Sequence, residues 1–214
     1  MEIVMRDINL YDRVSSVLWH FSGLHKIDPN VLALAANRGT CVHKLIDAYI
    51  GGFGLHTIDS LVGNYCEDLF PSDGIEELIE KEKDKVRLMF QSFEKWSANK
   101  QFIPKPDRFF CDKLMITGEL DQIWKDEHGR NVLIDFKTSY NESKTWMLQG
   151  SAYAHLAELN GHTIDFIEFV QLSKTGGNPR LYHYQKEFNL FKAHLDVFRY
   201  SYKDAKFTDM LDLL

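Results

Sequence analysis

The stretch GELDQIWKDEHGRNVLIDFK, residues 118–137, decides how this chain is read. Two runs of strand-forming residues, Leu114 to Lys125 and Asn131 to Thr138, flank the polar segment from Asp126 to Arg130. Gly129 in that segment supplies the positive φ that a hairpin loop asks for. With Lys125 opposite Asn131, Asp121 falls opposite Asp135 and Glu119 opposite Lys137. Side chains alternate along a strand, so the odd positions share one face. The even face carries Leu120, Trp124, Val132, Ile134 and Phe136, and is the face expected to be buried. Directly paired residues have Cβ atoms about 4.5–5.5 Å apart, and like charges so placed repel. At an effective dielectric of about 20 the cost is roughly 3–4 kcal/mol. A divalent cation between the carboxylates removes it. The plainer alternative is a solvated sheet face with Lys137 paired to Glu119, and a one-residue slip of register would spoil the opposition altogether.

At 214 residues and 44% hydrophobic content, the chain suffices for one domain, 1–214, with a sizeable core. No run approaches the roughly 18 apolar residues of a membrane helix, and Met1 to Asp7 lacks the order of a signal peptide. The expectation is a soluble, cytoplasmic protein without a membrane partner. Cys41, Cys66 and Cys111 are odd in number and show no CxxC spacing, which favours neither a disulfide framework nor a zinc knuckle. The net charge of −6 and pI near 5.8 argue against coating nucleic acid by bulk electrostatics. A local groove remains open to it. Between Lys174 and Lys206 stand seven basic residues, Arg180 among them, against three acidic ones.

Along the chain, the spacing predicts a helix near Val14 to Phe21, then one from Pro29 through Ile50. Asp28 is its N-cap, Pro29 its first residue, and Gly51-Gly52 its stop. Residues 56–100 read as largely helical, with Ile79, Val86, Met89, Phe90 and Phe93 at helical spacing from Ile75 to Ala98. After the hairpin come a helix from about Thr145 to Leu159, strands Thr163 to Leu172 and Arg180 to Glu187, and a helix from about Leu190 to Ala205. This is an α/β chain with a small mixed β-sheet flanked by helices and a helical N-terminal half, in which residues 53–105 are placed to roof a groove.

His43 lies on the second helix with Gly39 and Asp47 four residues either side, on one face. A glycine there costs roughly 1 kcal/mol against alanine, tolerable where something must approach closely. Neutral imidazole is a good ligand for divalent metals. Gln149 and Tyr153 stand at i and i+4 on a later helix, one turn beyond Trp146, and could orient a phosphate or a lysine. A satisfied, partly buried histidine and a surface Gln beside a core Tyr are the ordinary alternatives.

Read in order, Arg38-Gly39-x-x-x-His43, Gly118-x-x-Asp121, Asp135-x-Lys137 and Gln149-x-x-x-Tyr153 resemble the ordered motifs of the PD-(D/E)XK nucleases, in particular the RecB-like exonuclease branch. The resemblance spans roughly residues 14–190. It implies a restriction-endonuclease-like core, with His43, Asp121, Asp135 and the Phe136 backbone carbonyl holding Mg²⁺ or Mn²⁺. Lys137 would position the attacking water, and Gln149 and Tyr153 would support that lysine and the DNA. Three features depart from the pattern. Asp47 stands where many relatives have a glutamate. Glu119, facing Lys137 in the expected pairing, is a further catalytic candidate that would tune the lysine or join a second metal. No cysteine follows Cys111, so no iron–sulfur cluster is expected.

The reading that results is a Mg²⁺- or Mn²⁺-dependent DNA exonuclease acting on single strands or duplex ends. Arg38, Thr138, Trp146, Lys174 and Arg180 are its substrate-binding candidates, and Trp146, Tyr140 or Tyr182 could stack bases. The resemblance also fits a phage-encoded protein. Rival readings are a structure-specific or nicking endonuclease, a non-catalytic recombination accessory protein that binds nucleic acid, and an acidic protein-binding domain with no DNA affinity.

Overall fold

A computed structural model describes residues 6–52, 60, 62–63 and 76–204. After the short strand β1 (Asp12–Arg13), α1 runs from Val14 to Ser22 and ends at Gly23, whose φ of 74° is the left-handed stop of many helices. The helix α2 spans Pro29–Ile50, and Asp28 Oδ1 accepts from the amides of Asn30 and Val31 at 2.9 and 3.3 Å. The expected cap and proline start are therefore present. The helix α3 covers Glu76–Ser97; most of the expected helical stretch 56–75, like Cys66, lies outside the described residues.

Among the described residues, eight strands form two mixed sheets. The smaller has the order β1-β4-β3, with β3 at Phe109–Cys111 and β4 at Ile116–Gly118. The larger has the order β2-β5-β6-β7-β8, from Gln101–Phe102, Gln122–Lys125, Asn131–Lys137, Phe166–Gln171 and Arg180–Tyr184. Between β6 and β7, which run parallel, lies α4 (Trp146–Leu159). The chain continues from β8 into α5 (Phe188–Phe198), and a π-helical turn, Arg199–Asp204, replaces the rest of the single long helix expected there.

The hairpin register is the expected one, Lys125 opposite Asn131 and Gln122 opposite Ile134. Gly129 has φ 75°, and Asp126 Oδ1 fixes the turn by accepting from the amides of His128 and Arg130. The first strand, however, is not continuous from Leu114. Residues 119–121 divide it, so that β4 joins one sheet and β5 the other. The hydrogen bond from Asp126 N to Arg130 O sets the alternation of the ladder, and by it Phe136 N would next donate to the carbonyl of residue 120. It donates instead to Asp121 Oδ2 at 2.6 Å. A side chain has taken over a rung of the sheet.

Both faces of the large sheet are buried, not the even face alone. Val132, Ile134, Phe136 and Val170 pack with α2 and α3 in one apolar cluster. Ile123, Leu133, Ile167 and Phe169 pack with α1, α4 and α5 in the other. The cause is the parallel β6–β7 pair at the centre, whose crossover lays a helix on the face the hairpin alone would leave to water. Leu120 follows the break and belongs to the α4 side, away from Trp124. Within this frame α3 is a layer of the core, with Val86, Met89 and Phe93 fully buried. Of the stretch 53–105, Lys100 to Lys105 line the groove, together with Asp107 and, from α2, His43 and Asp47.

Candidate active site

The break in the hairpin sets its carboxylates in place. Asp135 is on the α4 side of the central strand and is only 3% exposed, which excludes the solvated-face alternative. Lys137, two residues on and on the same side, brings Nζ to 2.5 Å from Asp135 Oδ1 and donates to Gln149 Oε1 at 2.8 Å. Gln149 Nε2 in turn donates to the Tyr153 hydroxyl at 3.2 Å. The spacing of four on α4 stacks these two side chains one turn apart, and the lysine is held between a strand carboxylate and a helix amide.

Asp121 uses one oxygen on the Phe136 amide and places the other 3.1 Å from His43 Nδ1. The imidazole keeps 34% of its side-chain surface open and meets the groove. Gly39, one turn before it on α2, has a reason to lack a side chain: a Cβ there would stand 3.1 Å from Thr138 Oγ1. Gly118 has a stronger one, because a Cβ would meet the Tyr153 ring at 2.6 Å. The glycines at 39 and 118 thus seat the segments that carry Lys137 and Tyr153.

The electrostatics follow from burying charge. Burial pushes the Asp135 carboxyl up to about 6, with Lys137 opposing and the Asp121 charge adding to the rise. For Asp121 burial acts in the same sense, but His43, Lys137 and the Phe136 amide outweigh it and hold the carboxyl below its ordinary value. Burial would depress His43, yet Asp121, and more weakly Asp135, carry it up to about 9. Burial, then the Asp135 charge, lifts the Tyr153 hydroxyl well above its usual range. Sequence reasoning did not single out Gln122 as part of this neighbourhood. Buried next to Asp121, it reaches Asp47 Oδ1 at 3.5 Å, and burial followed by the charge of Asp121 raises the Asp47 carboxyl. Asp47 was legible as a residue sharing the face of His43 and as a departure from the glutamate of the resembled pattern.

The donor types suit a hard divalent cation: two carboxylates, an imidazole, and a backbone carbonyl at Phe136. Asp135 Oδ1 is buried, touches the lysine ammonium, and receives no hydrogen bond of proper geometry. That is the kind of orphaned oxygen a cation satisfies. Among the described residues, though, no three His, Cys, Asp or Glu side chains converge as a finished cage. His43 is turned to Asp121 and Asp135 to Lys137, so a cation would have to replace those contacts.

The remaining candidates divide. Glu119 is 58% exposed on its side chain and pairs with Arg108; because of the strand break it is not opposite Lys137. Trp146 is buried, stacked on Phe169 and met edge-on by Tyr182, so its ring faces serve the core instead of a base. Arg38 binds the buried Glu82 at 2.7 Å and ties α2 to α3. Thr138 and Tyr140 line a cleft of about 790 Å³ together with His43, Lys137 and Gln149. A second cleft, about 910 Å³, lies on the other side of His43 and holds Asp47, Lys105, Asp121 and Gln122. Lys174 and Arg180 line a smaller pocket next to Tyr140. Cys41 and Cys111 are buried in separate clusters.

No family model matches this chain, and no curated protein matches it. Among solved structures it is similar to a crystal structure from Eubacterium rectale described as a "Putative exonuclease", at 15% identity and a TM-score of 0.43, over 90% of this chain and 78% of that one. Among the described residues, no helix is long and apolar enough to cross a membrane.

Proposed function

We propose that this chain is a Mg²⁺- or Mn²⁺-dependent deoxyribonuclease of the PD-(D/E)XK type that degrades DNA from strand ends. The observation that carries the reading is the buried Asp135 beside the half-buried Asp121, with Lys137 held between Asp135 and Gln149. A fold with no chemistry to perform gains nothing from crowding two carboxylates and an ammonium in its interior, since desolvating such groups is costly. His43, Asp121, Asp135 and the Phe136 carbonyl would hold the cation. When bound, it would supply a lowered pKa for the attacking water and neutralise charge developing on the phosphate.

The residues themselves have separable tasks. Lys137 hydrogen-bonds the incoming water and offsets negative charge on the phosphoryl oxygens. Gln149 fixes the ammonium, and Tyr153, kept neutral by burial, fixes Gln149. The water oxygen forms the new bond to phosphorus, the bond to the leaving oxygen breaks, and the water proton ends on the leaving group. Incubation with end-labelled linear DNA and covalently closed circles, in Mg²⁺, in Mn²⁺ and in EDTA, tests the proposal. Linear DNA should shorten from its ends only with metal, and circles should stay intact. Cleaved circles would make it an endonuclease. DNA binding without hydrolysis in either metal would make it an accessory protein.

A further inference from the structure

A pocket of about 220 Å³ opens where β6 ends and the β7–β8 loop begins. Among the described residues, Ser139, Gln171, Thr175 and Asn178 contribute polar groups to it, Lys174 and Arg180 its only charges, and no carboxylate lines it. The three larger clefts each carry at least one carboxylate. Close by, Arg38 and Lys85 hydrogen-bond the two oxygens of Glu82 and so share its charge. Burial lowers the Lys174 pKa, the nearby charges of Arg38 and Lys85 lower it further, and Glu82 opposes them without reversing the shift. In a chain of net charge −6, this is a locally positive, anion-seeking cavity.

The loop is held in place before any ligand arrives. Ser92 Oγ accepts from Ser173 N at 2.9 Å, Lys95 Nζ donates to Gly176 O at 2.6 Å, and Ser173 Oγ accepts from Gly177 N at 3.2 Å. Gly176 has φ 71° and lies so near α3 that a Cβ would meet Gln91 Oε1 at 2.8 Å. The pocket is also continuous with the catalytic cleft, because Ser139 and Tyr140 line both. Tyr140 is 76% exposed, and Lys174 Nζ stands 4.0 Å from its ring centroid.

We propose that this pocket binds a backbone phosphate of a single nucleic-acid strand, whose adjoining base stacks on Tyr140 as the strand passes Lys137; the assignment rests on the nuclease reading above. Cations beside an exposed aromatic ring are the usual means of holding a single strand without sequence preference. A cavity of about 220 Å³ is of the size of a phosphate with its sugar.

The test is fluorescence anisotropy in EDTA with a labelled oligothymidylate, a duplex of equal length and inorganic phosphate, across a salt titration. Replacing Lys174 and Arg180 together by alanine should weaken single-strand binding about ten-fold at low salt and flatten the salt dependence by about 0.7, the share of the one phosphate they hold. Arg180→Gln alone, a surface change that spares the fold, should flatten it by about half as much. Tyr140→Ala should cost about five-fold or more and Tyr140→Trp should restore binding. An unchanged slope, an equal loss on duplex, or tight inorganic phosphate binding with unaltered strand affinity overturns the proposal. Cleavage by the wild-type protein in Mn²⁺ is followed in parallel. Cleavage with no change of slope ends this inference alone, whereas a changed slope without cleavage upholds the pocket and ends the nuclease reading.

Discussion

The two ends of one hairpin obey opposite rules. At the turn, Asp126 caps the backbone amides of His128 and Arg130, its second oxygen takes the Arg130 side chain at 2.8 Å, and the charges around it face water. Every polar group there serves the chain conformation. At the other end the ladder stops early, Asp121 takes the Phe136 amide, and the buried Asp135 and half-buried Lys137 pair beside it. Groups at that end are arranged against folding economy. Charge that stabilises a turn can be read as structure; charge that burial penalises asks for a ligand or a reaction.

The contrast breaks most sharply under substitution. Lys137→Ala or Asp121→Ala should lower cleavage by about 10²–10³-fold or more while the protein stays folded, as followed by initial rates beside circular dichroism. Rates near wild type would show that the buried end is merely structural. Gly118→Ala comes next, because the added Cβ must displace the Tyr153 ring. A loss of about 1–3 kcal/mol is expected, visible as a melting temperature lower by roughly 3–10 °C.

Asp135→Asn should move stability the other way. Burial raises this carboxyl to about 6, above the roughly 3.9 of an unfolded aspartate. The folded chain therefore holds the proton more tightly, and the stability linked to it is present below about pH 4 and lost as pH rises through about 6. In EDTA the variant should melt about 2–6 °C above wild type at pH 7, and the gap should close as pH falls below about 4. A variant that melts lower at pH 7 would mean that the Lys137 pair outweighs desolvation. The smallest effect belongs to the turn. Asp126→Ala should cost about 1 kcal/mol and leave cleavage unchanged, so a large loss of activity would erase the distinction between the two ends.

What the sequence disclosed divides along similar lines. The register, Gly129 and the Asp28-Pro29 start of α2 follow from local spacing, the grouping of Asp135 and Lys137 with Gln149 and Tyr153 follows from the resemblance, and all are present in the fold. The strand break at 119–121 was hidden because its cause is tertiary: Gly118 makes room for a ring 35 residues later in the chain. Glu119 was misplaced by the same break, and its actual partner Arg108 lies in a stretch with no periodicity to mark it. Strands β2 and β3, two and three residues long, are too short to show alternation. Trp146 looked free to stack on a base since nothing in the sequence shows that Phe169 and Tyr182 cover it.

The most direct test of the central claim is the time course of end-labelled linear DNA with wild-type and Lys137→Ala protein in Mn²⁺. The account predicts progressive shortening by the wild type, abolished by EDTA, and none above background by the variant. Equal cleavage by both proteins, or no cleavage by the wild type in either metal, would contradict it.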